Sequence, residues 1–316
     1  MHTHRRTSRR RTAPAASRLE ARGAPTCRPA TAEPRPAAVA LRWEIGIVLA
    51  LSLGKSAVYS LLDLANALSK GGLKGQSVAL NARASAVPLI DALYQLAGIV
   101  FSLAPVALVV FLLWREGPSL RAAFAKLGLP AAPWAGASAG ATTAPAKPAG
   151  PTAPARPAHT TTPARPARAA LRDLALGAAL FLAVGLATLA LYTAGRAAGL
   201  TARIEPSGLS SAPWNAAILA LSAVRHGILE ETVMLGYLFW RGRQLAWAPW
   251  AVVVGSAVLR SLYHAYQGFG PMLGNLAMGI LFGALYSKIG RLAPLIIAHA
   301  LLDLTAFLAA DWFSRL

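Results

Sequence analysis

The chain has one cysteine in 316 residues, Cys27, and few charges: Asp, Glu, Lys and Arg make up 14%, and only 12 residues are acidic. A single thiol excludes an intrachain disulfide and a cysteine-built zinc site. Its place in the N-terminal stretch, ahead of every long apolar segment, also excludes a thiol nucleophile inside a membrane. Soluble domains carry about a quarter charged residues. With 55% hydrophobic residues and a mean hydropathy of +0.48, this chain reads instead as a polytopic membrane protein. Any chemistry must use carboxylates, imidazoles or hydroxyls.

The shortage of acids leaves a net charge of +19. A nucleic-acid binder would spread Lys and Arg over a folded basic face, whereas here they sit in a tail, a linker and short loops, so no nucleic-acid partner is expected. Residues 1–40 hold almost no bulky apolar side chains and are expected to form a disordered basic tail. No apolar run closely follows the arginine pairs, which argues against an export signal.

Seven apolar spans follow, at about 43–64, 94–114, 172–195, 214–240, 247–266, 272–287 and 293–312. Each approaches the roughly 20 residues needed to cross the hydrocarbon. The expectation is an all-α polytopic membrane helix bundle of about seven transmembrane helices. Two helices and an amphipathic interfacial helix at Pro118–Leu127 fall in 41–128, a Pro/Ala-rich cytoplasmic linker covers 129–170, and five helices form a membrane domain over 171–316. Placing the N-terminus in the cytoplasm puts Arg115, Arg121, Lys126, Arg241, Arg243, Lys288 and Arg291 on the inner side of a cell (inner) membrane, as the positive-inside rule requires.

Acids reappear where they cost most. The run Ser222–Tyr237, SAVRHGILEETVMLGY, puts Glu230 and Glu231 side by side in an apolar segment. A carboxylate at bilayer depth costs roughly 2.5–3.5 kcal/mol even on the lenient insertion scale, so it needs a partner and a task. Candidate partners follow: His264 in LRSLYHAYQG, and His299 with Asp303 in IIAHALLDLTAF. Residues four apart share a helix face, which aligns His226 with Glu230, Arg260 with His264, and His299 with Asp303.

Peptide hydrolysis needs an activated water, a general acid for the leaving amine and donors for the oxyanion. A buried Glu suits the base. The same residues could instead hold a divalent metal, zinc being possible, because two His and one carboxylate leave a position open for water. Spacing does not separate these versions. His226 taken alone reads as a helix–helix hydrogen bond. A proton-coupled carrier is an alternative, since buried Glu, His and Asp also build proton relays, although the two halves show no matching pair of broken helices.

The ordered set of two glutamates on one helix, a His closing the next, and HxxxD on the last resembles the CPBP intramembrane proteases, also called the Abi or CAAX-protease family. The resemblance runs over about 171–316 and includes YHAYQG, the glycine-bearing sixth span and KIGRLAPLIIAHALLD. It implies an intramembrane endopeptidase acting on a membrane-embedded peptide or protein. Glu230 would activate water with His264, His299 and Asp303 would line the oxyanion site, and Glu231 would support them. In the metal version Glu230, His264 and His299 would be the ligands.

Three positions depart from the family pattern. Leu235 stands where the first motif has Arg, Arg260 where the second has Phe, and Asp303 where the third often has Asn. Arg260 is expected to supply the charge that Leu235 lacks, by pairing with Glu231. An ionised Asp303 cannot donate to an oxyanion, so it is protonated, orients His299, or favours a bound metal or proton. The Leu235 departure keeps a non-catalytic membrane scaffold as a further alternative. Counting along straight spans places Glu230 and His299 in the cytoplasmic half but His264 near the outer end of span five. A tilt, a deeper start or a re-entrant turn around Gln267–Gly270 would reconcile them.

Overall fold

A computed structural model describes residues 35–129, 166–205 and 212–308. Residues 1–34 of the expected tail and 130–165 of the expected linker lie outside the described residues. Helix begins at Arg35, inside the expected tail, and again at Pro166, ahead of the expected end of the linker. The Ala, Leu and Arg that follow each of these points are strong helix formers.

The first rod is α1 (Arg35–Leu49) and α2 (Lys55–Ser69), joined without a break by a π-helical turn at Ala50–Gly54. The second is α3 (Pro88–Ser102) and α4 (Ala104–Arg115), jointed at Leu103. Pro105 explains the joint, since it has no N–H to donate to the preceding turn. The amphipathic segment forms α5 (Leu120–Lys126), started by Ser119 Oγ accepting from the Ala122 N–H at 3.2 Å. It does more than lie at an interface: Ala123 and Leu127 are wholly buried, and Tyr286 O–H donates to the Leu127 carbonyl at 3.2 Å.

The remaining rods are α6 (Pro166–Ala197), α7 (Asn215–Glu231), α8 (Leu238–Gln244), α9 (Pro249–Tyr263), α10 (Phe269–Ile289) and α11 (Ala293–Leu308). A second π-helical turn, Thr232–Tyr237, runs α7 into α8 directly after the two glutamates. The described residues are thus an all-α bundle of seven rods. Beside them lie β1 (Ser77–Ala79) and β2 (Arg203–Glu205), one short parallel pair.

Among the described residues four helices are long and apolar enough to cross a bilayer: Ala37–Ser69, Pro88–Arg115, Arg168–Ala197 and Phe269–Ile289. The α7–α8 rod has the length but carries Arg225, Glu230, Glu231, Arg241 and Arg243. Helix α9, at about 1.5 Å per residue, is too short to span the hydrocarbon alone. Large apolar side chains such as Trp43, Val100 and Leu171 face outward, as a lipid-embedded bundle requires.

Around the centre, α11 packs on α7 and α6, α10 on α9 and α6, and α2 on α9. Small residues set the close approaches. A Cβ on Gly279 would stand 2.7 Å from Ala257 Cα and 3.4 Å from Arg260 Cδ, so glycine there lets α10 lie against the α9 turn that carries Arg260. At one end, Arg241 is buried between Glu44 and Glu116, with its Nη2 2.5 Å from Glu44 Oε1, tying α1 and the end of α4 to α8. Burial alone would raise the Glu116 carboxyl. The Arg241 hydrogen bond and charge, with Lys126 3.6 Å away, hold it below the ordinary carboxylate range.

Candidate active site

The two glutamates on α7 face different partners. Glu231 is fully buried; its Oε1 accepts from Arg260 Nη2 at 2.6 Å and from His299 Nδ1 at 2.6 Å. Glu230 uses Oε2, which accepts from the Tyr263 hydroxyl at 2.5 Å and from Arg260 Nη1 at 3.4 Å. Its Oε1 takes none of the hydrogen bonds formed among the described residues. Arg260 therefore bridges both acids, making the contact expected in place of the missing arginine, while Leu235 packs in the apolar core. Two adjacent carboxylates away from water are tolerable only with such a cation between them.

His299 is oriented by the same cluster. Because a carboxylate only accepts, its Nδ1–H points to Glu231, and Nε2 lies 3.8 Å from both Glu230 Oε2 and Asp303 Oδ1. Asp303 in turn accepts from His226 Nδ1 at 3.0 Å through Oδ2. This is the helix–helix hydrogen bond expected of His226, between α7 and α11, and it also brings the ring to the cavity wall.

His264 closes α9, and the chain turns at once through a 3-10 turn (Ala265–Gln267) into α10. The tip is held at depth by contacts remote in sequence. Ser60 Oγ on α2 accepts the Tyr266 N–H at 2.7 Å, and the segment at Leu200–Ala202 accepts from Phe269 N and donates to the Gln267 carbonyl. Gly268, at φ +103°, makes the turn possible; a Cβ there would meet the Leu200 carbonyl at 2.8 Å. The turn expected near Gln267–Gly270 falls at Ala265–Gly268, directly after His264. His264 Nδ1 is 3.5 Å from Gln267 Nε2, and its own Nε2 is buried without a hydrogen-bond partner among the described residues. Leaving a buried ring nitrogen unpaired costs about 1–3 kcal/mol.

Glu230, His264, His299, Asp303, His226 and Tyr263 all line one cavity of about 690 Å³. Its walls extend beyond spans four to seven. Leu51–Leu53 between α1 and α2, Phe101–Ser102 on α3 and Phe181–Gly185 on α6 contribute, so the two N-terminal rods help enclose the site.

Among the described residues no group of three or more His, Cys, Asp or Glu side chains is arranged to hold a metal ion. Glu230 Oε1, His264 Nε2 and His299 Nε2 take no hydrogen bond among the described residues, yet they are not gathered into such a group, and no step is derived through a metal.

Residues 212–305, from the approach to α7 through Thr305 of α11, match the family model described as type II CAAX prenyl endopeptidase Rce1-like. Over this segment the chain is similar to the CAAX-protease family. No curated protein and no solved structure matches it. The CAAX-protease segment contains every polar residue of the cluster described above and is narrower than 171–316, leaving α6 outside. With the long apolar helices, the similarity fits a helical membrane protein.

Sequence reasoning misses two members of the polar cluster. Tyr263 is adjacent to His264 and three residues after Arg260, and the signal for it is that a buried tyrosine needs a hydroxyl partner. Arg225 lines the cavity beside His226, with Nη2 donating to Ser222 Oγ at 3.1 Å. Tyr263→Phe removes a hydrogen bond to a charged group and should lower stability by about 1.5–3 kcal/mol in thermal unfolding of the detergent-solubilised protein. An unchanged melting temperature would contradict the bond to Glu230.

Proposed function

We propose that the chain is an intramembrane endopeptidase of glutamate type that hydrolyses a peptide bond of a membrane-associated peptide without a metal. The observation that carries this reading is the presentation of Glu230. One oxygen is anchored by Tyr263 and Arg260, the other takes no hydrogen bond from the described residues, and the side chain lines a cavity shared with the unpaired Nε2 of His264.

In this reading a water bound between Glu230 and His264 loses a proton to Glu230 Oε1 and attacks the scissile carbonyl carbon. His299, fixed through Nδ1 by Glu231, turns Nε2 toward the developing oxyanion and stabilises it when protonated. Arg260 holds both carboxylates in place without entering the reaction. The apolar walls contributed by the first rod, α3 and α6 favour an apolar peptide segment and limit bulk water. We place the protein in the cell membrane with its N-terminus in the cytoplasm. The joined ends of α5 and α10, where the Leu292 N–H donates to the Gly128 carbonyl, bring the Arg/Lys-bearing turns to one side.

The test is to incubate purified protein in lipid nanodiscs with a pool of synthetic transmembrane-length peptides in heavy-oxygen water. New termini carrying one heavy oxygen in the new carboxyl, formed equally after chelator treatment, are expected. No new termini would contradict hydrolysis, and activity lost to chelation and restored by zinc would contradict the metal-free form.

A further inference from the structure

Hydrolysis of an amide needs a proton for the leaving nitrogen; Glu230 can return the one it takes from water, but a second donor on the same cavity wall delivers a proton without waiting for that return. We infer that His226, held by Asp303, is the proton donor; this rests on the hydrolase reading above. His226 Nδ1 lies 3.0 Å from Asp303 Oδ2, bridging α7 and α11, and both side chains line the cavity that contains Glu230. The ring is also packed edge-on against Phe307, with centroids 5.8 Å apart, so it is held on two sides by α11. About a quarter of each of the two side chains remains accessible.

The backbone explains how the pair can form. Gly227 follows His226, and a Cβ there would stand 2.9 Å from the Ile296 carbonyl and 3.2 Å from the Ala300 N. Glycine lets α7 approach α11 closely enough for the bond. His226 precedes Glu230 by four residues and Asp303 follows His299 by four, so the pair forms a layer about one helical turn from the layer of Glu230, Glu231, Arg260 and His299. One layer offers a base and the other an acid on the same side of the cavity.

The chemistry balances. A carboxylate at Asp303 accepts the Nδ1–H, fixes the ring and stabilises the imidazolium, whose second proton is on Nε2. Glu230 takes a proton from water as the new C–O bond forms. The tetrahedral intermediate then collapses; the C–N bond breaks while the Nε2 proton passes to nitrogen, leaving neutral imidazole, a carboxylic acid and an amine. Exchange with solvent returns the proton from Glu230 to His226. His226 is the catalytic residue here and Asp303 a positioning residue.

The test uses two substrates with the same acyl part, one a peptide amide and the other an aryl ester whose phenolate leaves without protonation. His226→Gln should slow the amide by about 100-fold or more, the usual worth of a general acid, while the ester slows far less. Asp303→Asn, which keeps an acceptor but loses the charge, should shift the amide-to-ester ratio in the same direction by a smaller factor. Equal slowing of both substrates in both variants, or an undiminished amide rate, would overturn the assignment. Wild type inactive on both substrates, or Glu230→Gln active on both, would instead overturn the hydrolase reading, and this assignment with it.

Discussion

An Arg260→Phe variant is expected to lose about 3–5 kcal/mol of stability and nearly all activity, because it removes the cation shared by two buried carboxylates. Arg260 Nη2 is 2.6 Å from Glu231 Oε1 and Nη1 is 3.4 Å from Glu230 Oε2, and all three side chains are almost wholly removed from solvent. Phenylalanine fills comparable space, so the loss should come from uncompensated charge rather than from a cavity. A double variant separates the two causes. Adding Glu231→Gln to Arg260→Phe removes one of the stranded charges and leaves an acceptor for His299, so it should recover part of the lost stability, with a coupling of about 0.5–3 kcal/mol. The measurement is thermal unfolding of each protein in one detergent. A single variant as stable as wild type, or a double variant that is simply the sum of its parts, would contradict the bridging role of Arg260.

Much of this arrangement is legible in the amino-acid sequence. Apolar runs announce the rods, since in lipid the backbone must satisfy its own hydrogen bonds. The cost of Glu230 and Glu231 points to buried partners, and the four-residue spacing of His299 and Asp303 places both on one face. The pairing of Arg260 with Glu231 is implied by the family resemblance, in which Leu235 takes the place of an arginine.

What is not legible depends on contacts remote in sequence. The depth of His264 is set by Ser60, Leu200 and Ala202 acting on the turn after α9, and no local pattern in LRSLYHAYQG encodes them. The part played by the first rod, α3 and α6 in walling the cavity is likewise a matter of tertiary packing. The π-helical turns at Ala50–Gly54 and Thr232–Tyr237 carry no composition signal, yet one adjoins the cavity wall and the other follows Glu231 directly. His226 is visible as the residue four before Glu230, but only the approach permitted by Gly227 shows that it reaches Asp303.

Glu230→Gln is the variant with the greatest consequence for chemistry. The amide preserves the side chain's length and can still accept from Tyr263 through its oxygen, so the fold should be little changed. It cannot take a proton from water. General-base catalysis is worth about 100- to 10,000-fold, and the loss should fall in kcat, because binding in the apolar cavity does not depend on this charge. A side chain with a purely structural role would lower stability and rate together, whereas here the rate should fall with the melting temperature nearly unchanged.

The most direct measurement is therefore the kcat for peptide cleavage by wild type and Glu230→Gln, purified side by side in lipid nanodiscs with their melting temperatures recorded. A base at Glu230 predicts a fall of about 1,000-fold in kcat at nearly constant stability. Cleavage by Glu230→Gln at a rate close to wild type would contradict that role.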